Sequence, residues 1–207
     1  MMASDAASDR ELTARGERTR TRLLEAARPV FNERGFRATR IIDITRAAGT
    51  ASGTFYTYFE SKEEIFREVA SEVHRELEAA SRNDARSHGD DPVRNIETAT
   101  RSFFLACRRN AGIVRSIENL AMHDAVVEAG RSAAMEANAR RVERWLRVLQ
   151  DAGTADRDLD AANVAEALQA MNVKVAYDNL VHRAHGADLD ALVAAVTRIW
   201  AKTAGLE

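Results

Sequence analysis

The sequence predicts an all-α protein of about nine helices. Of its 207 residues only two are proline and ten are glycine, and only 6% are aromatic. This composition favours helices and leaves too few turn residues for a β-sandwich. Apolar residues also recur at steps of three and four, the spacing that places them on one face of a helix. With 45% hydrophobic and 30% charged residues, the chain should fold around a sizeable core.

The same counts exclude several protein classes. The single cysteine, Cys107, allows no intrachain disulfide and no multi-cysteine zinc or iron–sulfur site. No run of about 18 apolar residues is present, so we expect no transmembrane helix and no membrane partner. The N-terminal segment lacks the apolar core of a signal peptide. We therefore expect a cytoplasmic protein.

Charge is distributed unevenly along the chain. The net charge is −2 at pH 7, yet residues 10–50 contain ten arginines and only five carboxylates. A basic first quarter joined to an acidic remainder indicates a small anion-binding module followed by a larger body. A solvated helix with spare arginines would show the same charges, so the motifs have to decide between the two interpretations.

The first helix is predicted to begin near Glu17. The preceding residues, 1–16, are polar and aperiodic, and we expect a disordered N-terminal arm there. Gly35 predicts the end of the helix through a left-handed cap, and Pro29 predicts a kink or a local weakening. The apolar face of the helix consists of Leu23, Leu24, Ala27, Val30 and Phe31.

Two short helical segments follow, over residues 40–47 and 51–59. We expect Thr39 to cap the first of them through its hydroxyl group. Phe55 and Phe59 are four residues apart, so they share one helix face and should anchor the second segment to the core.

The remainder of the chain predicts long helices. Ser61 should start the first of these, because the SKEE sequence is a capping box. Residues 82–91 form a polar break and are the best candidate for a domain linker. Asp91 should cap the next helix, with proline in its first turn. The further helices are expected at about 92–109, 111–122, 124–151, 161–185 and 188–204.

Residues 35–66 carry the motif on which the functional interpretation depends. Two short helices joined at a glycine, after a first helix, predict a helix-turn-helix. Ala47 and Ala48 are small enough for a close approach of the helices, and Gly49 can adopt the positive φ of a sharp turn. Small polar residues then face away from the core, where they can meet base edges or phosphates in the major groove.

In this segment the sequence resembles the tetracycline-repressor (TetR) family of bacterial transcriptional regulators. The pattern is Gly-Phe, Thr, Asp-Ile, Ala-Gly, Gly-Thr-hydrophobic-Tyr, an aromatic end and a lysine in the next helix. It is matched by Gly35, Phe36, Thr39, Asp43, Ile44, Ala48, Gly49, Gly53, Thr54, Phe55, Tyr56, Phe59 and Lys62. The match covers about residues 18–70, and the rest resembles the family only in length and helix content.

The resemblance implies a set of DNA-contacting residues. Tyr56 and Lys62 would contact phosphates, whereas Ser52, Gly53 and Thr54 would face the groove. Taken alone, Tyr56 could equally be a half-buried core aromatic and Lys62 a solvated first-turn residue. The full predicted set is Arg40, Ile42, Arg46, Thr50, Ser52, Gly53, Thr54, Tyr56, Thr57 and Lys62.

The sequence departs from the family pattern at four positions. Arg40 replaces a common Ser or Thr and offers a further phosphate contact, whereas Ala51 replaces a serine and lacks a capping side chain. Ser52 stands where a basic residue is frequent, and Thr57 where histidine is frequent. These differences leave DNA binding expected but prevent the operator sequence from being inferred by analogy.

The resemblance also implies a homodimer formed by the last two helices and an effector pocket among the middle helices. Apolar stripes over 161–185 and 188–204 fit a dimer, although both stripes could equally be core. The Phe, Met and Trp content of residues 92–151 predicts an apolar or amphipathic effector, although such residues are more often plain core. The candidate ligand-binding residues are Phe103, Phe104, Cys107, Ile117, Met122, His123, Met135, Trp145, Met171 and Tyr177.

Catalytic and metal-binding patterns are not evident. The sequence has no Gly-rich phosphate loop, no nucleophile elbow and no paired Glu-x-x-His, so we expect neither an enzyme nor a cofactor. Asp178, His182 and His185 share one helix face at a spacing that could hold a transition metal. Because histidines at a helix C-terminus are also favourable for the dipole alone, we assign no metal site.

These features predict three segments: an arm at 1–16, a DNA-binding domain at 17–60, and an effector-binding and dimerisation domain at 61–207. We expect a ligand-responsive repressor that binds a palindromic operator in double-stranded DNA as a homodimer and is released by a small effector. An activator would share the same chemistry. A helical ligand-carrier or partner-binding protein with a non-functional helix-turn-helix is the alternative from another class.

Overall fold

The computed structural model describes residues 14–83, 91–182 and 187–206. These ranges form nine α-helices without a strand, which confirms the predicted all-α fold. None of these helices is long and apolar enough to cross a membrane. The helices are α1 (Ala14–Ala38), α2 (Ile41–Ala47), α3 (Ser52–Phe55), α4 (Lys62–Asn83), α5 (Pro92–Arg109), α6 (Ala111–Ala121), α7 (Ala125–Asp151), α8 (Ala161–Ala176) and α9 (Leu189–Ala204), and a π-helical segment, Tyr177–His182, continues α8.

Helix α1 differs from its prediction at two points. It begins at Ala14, so the last residues of the predicted arm are helical, and the rest of the arm lies outside the described residues. It also runs through Pro29 with helical backbone angles, because buried Ala27 and Phe31 hold this stretch in the core. The backbone angles show no break at Pro29, and a local weakening there stays a prediction. The backbone departs from helical geometry at Gly35, whose φ is 73° and whose ψ is 167°.

The start of α2 is capped differently from the prediction. Arg40, not Thr39, is the N-cap residue, and its N–H donates to the Asp43 carboxylate at 3.0 Å. Thr39 is buried and its hydroxyl donates to the Gly35 carbonyl at 2.8 Å. The interruption of α1 at Gly35 leaves this carbonyl without a helical hydrogen bond, and the Thr39 hydroxyl supplies one. The hydroxyl is therefore not available to cap α2.

The predicted caps of α4 and α5 are present. The Glu64 N–H donates to the Ser61 hydroxyl at 3.2 Å, whereas the Glu64 carboxylate accepts from the N–H of Glu60 at 2.6 Å. The Asp91 carboxylate accepts from the N–H of Arg94 at 2.9 Å, with proline in the first turn. Most of the polar break proposed as a linker lies outside the described residues.

Aromatic rings form the core beneath the two short helices. Three rings are packed together, Phe31 and Phe36 from α1 and Phe66 from α4. Their ring centroids are 5.0–6.1 Å apart. Phe55 and Phe59 are fully buried and 5.6 Å apart, which confirms that they anchor the second short segment.

Helix α6 lies directly against α1. The Asn32 side-chain oxygen accepts from the N–H groups of Gly112 at 3.0 Å and Ile113 at 3.4 Å, and its amide donates to the Arg109 carbonyl at 2.8 Å. A β-carbon on Gly112 would lie 1.9 Å from the Asn32 carbonyl oxygen, so only glycine allows this approach. One side chain of α1 therefore caps the first turn of α6.

Candidate functional site

The two short helices divide their residues between a buried and an exposed face. Ile44 and Phe55 are fully buried against the core. On the opposite side Ile42 of α2 is 42% exposed and Tyr56, just after α3, is 62% exposed. Arg46 lies one helical turn after Ile42 and is also exposed.

The turn between the helices has the predicted geometry. Gly49 has a φ of 63°, a conformation that glycine adopts without steric cost. The Arg22 guanidinium of α1 donates to the Ala48 carbonyl at 2.6 Å and so closes the C-terminal end of α2. The Arg20 guanidinium lies 5.0 Å from the centroid of the Phe59 ring, which ties α1 to the end of the motif.

Small polar residues surround the start of α3. Ser52 and Thr57 are exposed, whereas Thr50 and Thr54 are half-buried. The Ser52 hydroxyl lies 3.5 Å from that of Thr45. These short side chains leave the surface open to a large partner.

Gly53 stands out among them, because no backbone strain or packing requires a glycine there. A β-carbon on Gly53 would meet nothing within 4 Å, and its φ is not positive. Glycine inside a helix costs about 0.5–1 kcal/mol relative to alanine. The space in front of this residue is therefore free for something outside the chain.

Arg40 is anchored at the edge of this surface. Its Nε donates to the Asp43 carboxylate at 3.4 Å while 74% of its side chain is exposed. Arg34 lies on the other side of the carboxylate at 3.2 Å. Hydrogen bonds from Arg40, helped by the charge of Arg34, lower the pKa of Asp43, so the carboxylate stays ionised and holds Arg40 in place.

A second site is a cavity of about 680 Å³ inside the larger part of the molecule. Its wall is formed by α4, α5, α7, α8, the start of the π-helical segment and Trp200 of α9. Four of the predicted ligand-binding residues line it: Phe103, Met135, Trp145 and Tyr177.

The other predicted ligand-binding residues lie elsewhere. Phe104, Cys107 and Ile117 are buried in the core, and Met171 packs against that core beside the cavity. Met122 is 76% exposed, and His123 is exposed beside it, because α6 ends at Ala121 and both residues follow in the turn. Ligand binding by any of the ten remains a prediction.

Sequence reasoning missed most of the polar cavity wall, which includes His74, Asn95, Arg131, Arg141 and Gln169. Their helical spacing resembles that of solvated faces, so only the packing of four helices shows that they turn inward. Burial, together with the charge of Arg131, lowers the pKa of His74, and the histidine is therefore neutral near pH 7.

The candidate metal-binding face is described only in part. The Asp178 carboxylate accepts from Lys174 at 2.8 Å, His182 is exposed, and His185 lies outside the described residues. Among the residues that the structure describes, no group of three or more His, Cys, Asp or Glu could hold a metal ion.

Comparison with known proteins identifies the motif. The structure of the fatty acid degradation regulator FadR from Bacillus halodurans has a similar fold, with a TM-score of 0.72, 21% identity, and coverage of 88% of this chain and 94% of that one. The family model for bacterial regulatory proteins of the tetR family matches residues 23–69. Residues 23–69 therefore form a helix-turn-helix domain of the TetR type.

Other TetR-like relatives match to different extents. The HTH-type transcriptional regulator EthR of Mycolicibacterium smegmatis is 23% identical over 198 residues, which cover 89% of this chain and 85% of that protein. The HTH-type transcriptional repressor KstR2 of Rhodococcus jostii is 50% identical over 50 residues. That segment is 24% of each protein, so the chain spans about a quarter of the length of KstR2.

The lysine of the TetR pattern has a structural role here. The Lys62 ammonium donates to the carbonyls of Phe36 and Thr39, both at 2.9 Å, and lies 4.3 Å from the centroid of the Phe36 ring. It therefore satisfies carbonyl groups between α1 and α2. Ala51, the other notable position, is the N-cap of α3 and makes no side-chain cap, as its departure from the TetR pattern predicts.

Proposed function

We propose that this chain is a ligand-responsive transcriptional repressor that binds operator DNA as a homodimer. The observation that carries the proposal is the exposed face of α2 and α3, which combines arginine, hydroxyl groups, an exposed tyrosine and an unobstructed glycine within a TetR-type helix-turn-helix. KstR2, one of the similar proteins, is named a repressor. A DNA-binding protein of this kind would act in the cytoplasm and would need no catalytic residues.

The proposed DNA-contacting residues fall into two groups by their chemistry. We assign phosphate contacts to the longer charged or hydroxylated side chains of this face, which are Arg40, Arg46 and Tyr56. Short side chains fit the major groove, where hydroxyls and methyl groups read base edges. The groove-facing set comprises Ile42, Thr50, Ser52, Gly53, Thr54 and Thr57. Lys62 positions the motif from behind through its two carbonyl bonds.

Dimerisation is proposed through an exposed face of α9. Ala191, Ala195 and Ile199 follow one another at four-residue steps and are all exposed, and Ile199 is 47% exposed. Small residues beside an exposed isoleucine allow another helix to approach closely. Two recognition helices about 34–36 Å apart would then bind a near-palindromic operator.

A ligand in the cavity can act on DNA binding through α4. This helix begins at Lys62, which is bonded to the carbonyls of the motif, and its later residues, from His74 to Arg82, line the cavity. A ligand that prefers one position of α4 therefore shifts the population between two arrangements of the DNA-binding face.

The proposal is tested by gel shift with the DNA upstream of the chain's own gene. The wild-type protein should bind this DNA more tightly than random DNA, and Thr54→Ala should cost about 1 kcal/mol on the operator and little on random DNA. Equal and weak binding to both DNAs would overturn the proposal and favour the ligand-carrier alternative.

The dimer is tested separately by sedimentation at micromolar concentration. Ile199→Glu should yield a monomer, because it places a charge in an apolar interface. Met122→Glu, at a residue that is 76% exposed and follows α6 rather than lying on α9, is the control and should remain dimeric. A wild-type protein that sediments only as a monomer would contradict the proposed assembly.

A further inference from the structure

The charged part of the cavity wall is not balanced by carboxylates. Three arginines, Arg82, Arg131 and Arg141, line the cavity, and Glu78 is the carboxylate among the lining residues. Arg82 pairs with Glu78 at 3.1 Å, and Arg131 pairs with Glu128 at 2.9 Å. These two cations are therefore neutralised within the chain.

Arg141 forms no salt bridge with the residues that the structure describes, and Glu78, which acts on it from a longer distance, is already paired with Arg82. The Arg141 guanidinium donates to the Ser81 carbonyl at 2.8 Å and to the Asn138 side chain, both of which are neutral. The buried Nε has no hydrogen-bond partner. A guanidinium does not lose its proton in a protein, so the wall holds a fixed positive charge. Such a charge is costly unless an anion pairs with it.

A second polar group in the wall also lacks a partner. Gln169 is 4% exposed and its amide donates to the Met135 carbonyl at 2.8 Å, but its side-chain oxygen accepts no hydrogen bond. Met135 and Arg141 are six residues apart on α7, a separation of about 9 Å along the helix axis. The Gln169 amide is thus bonded at a point of α7 that lies nearer the start of this helix than Arg141.

The remaining wall is suited to an apolar ligand body. Ile96, Phe103, Val142, Trp145 and Trp200 line the cavity with aliphatic and aromatic surface. A cavity of about 680 Å³ lies within the usual size range of small-molecule sites, about 300–1,000 Å³.

We propose that the cavity binds a small amphipathic acid whose carboxylate pairs with Arg141 and whose far end donates a hydrogen bond to Gln169. The inference rests on the proposed function and names the class of its effector. The carboxylate of the ligand neutralises the charge of the Arg141 guanidinium, and its donor group bonds to the side-chain oxygen of Gln169. The apolar chain between these two groups contacts the aromatic wall.

Tryptophan fluorescence of the 207-residue chain measures binding without DNA, because both of its tryptophans, Trp145 and Trp200, line the cavity. The probes are octanoate, 1-octanol and 8-hydroxyoctanoate. Octanoate should bind about tenfold more tightly than 1-octanol, because only the carboxylate forms a charge-assisted hydrogen bond with Arg141. 8-Hydroxyoctanoate should bind about fivefold more tightly than octanoate through Gln169.

Substitutions assign these preferences to residues. Arg141→Gln should remove the preference for octanoate over 1-octanol, and Gln169→Leu should remove the gain from the hydroxyl group. Arg140→Gln is the matched control, because Arg140 neighbours Arg141 but is 59% exposed and pairs with Glu136. Thermal unfolding followed by circular dichroism verifies that each variant is folded. If Arg141→Gln does not fold, Arg141→Lys keeps the charge and should keep the preference.

Equal binding of octanoate and 1-octanol, or a preference that survives Arg141→Gln, would overturn the proposal. Unchanged binding of the hydroxylated acid would overturn its Gln169 part. Release of operator DNA is measured separately by gel shift with the same acids. If an acid binds through Arg141 but does not release DNA, the cavity assignment stands and the effector function fails.

Discussion

The helix-turn-helix surface and the cavity differ in which of their groups lack contacts within the chain. On the surface, short side chains such as Ser52 and Thr57 are exposed, and the space before Gly53 is open. In the cavity wall, Arg141 and Gln169 each have a buried polar atom without a hydrogen-bond partner. A site for a macromolecule is therefore recognised by what its surface leaves open, and a site for a small molecule by which buried groups remain unsatisfied.

The largest effect is expected at the contact between α1 of the helix-turn-helix and α6 of the larger part of the molecule. Gly112→Ala would place a methyl group 1.9 Å from the Asn32 carbonyl oxygen, so α6 must move away from α1. We expect a loss of about 3 kcal/mol in the free energy of unfolding, measured by urea denaturation.

Gly130→Ala is the matched control for this substitution. Gly130 lies inside α7, and a β-carbon there would meet nothing within 4 Å. This variant should be more stable than wild type by about 0.5–1 kcal/mol. If the two alanine variants were equally stable, close packing of α1 on α6 would not be important.

The next largest effect is expected for Lys62→Ala. The variant loses two hydrogen bonds from a charged group to carbonyls, so the free energy of unfolding should fall by about 2 kcal/mol. Lys202→Ala, at an exposed residue of α9, should change it little.

The salt dependence of DNA binding sharpens this test. A direct phosphate contact by Lys62 would make the salt slope shallower by about one unit when the lysine is removed. We expect an unchanged slope at a temperature where the variant is folded, because the ammonium is used within the protein. A shallower slope with normal stability would restore the phosphate contact predicted from the sequence.

Gly53→Ala separates stability from DNA binding. The free energy of unfolding should rise by about 0.5–1 kcal/mol, because alanine is the better helix residue and has room. Operator binding should weaken about tenfold, or about 1.4 kcal/mol, because the new methyl group occupies the space left for DNA. Gel shift and thermal unfolding measure the two quantities, and unchanged operator binding would place the DNA elsewhere.

The smallest effect is expected from acid. A hydrogen bond from Arg67 lowers the pKa of Asp124, which caps α7. A lowered pKa stabilises the folded state above the ordinary value of 3.8, and this contribution is lost as the pH falls through the folded-state value. Arg67→Gln should therefore make the stability less dependent on pH below about 4, as measured by denaturation at stepwise pH. An identical pH profile for both proteins would show that the pair does not contribute.

The helix-turn-helix could be predicted from the sequence because its signals are local. Gly49 has the positive φ that its turn requires, Phe55 and Phe59 are buried, and the caps at Ser61 and Asp91 are formed. The wrong prediction at Thr39 arose because two backbone groups compete for the same hydroxyl. Thr39 caps nothing in α2, because the interruption at Gly35 leaves a nearer carbonyl for its hydroxyl.

The cavity could be predicted only in part. Phe103 and Trp145 line it, whereas Phe104 and Cys107 have the same apolar character but belong to the core. Helical spacing identifies an apolar face but not which neighbour covers it. Gln169 and Arg141 have the sequence pattern of solvated residues, and only the packing of α4, α5, α7 and α8 encloses them.

The Asn32 contact has a consequence for how the molecule unfolds. Because one side chain of α1 holds the first turn of α6, melting either helix exposes polar groups of the other. The two regions should therefore lose their structure in one cooperative transition rather than one after the other. A fragment ending near residue 60 would lack this partner as well as α4, so we expect it to be less stable than the same residues in the whole chain.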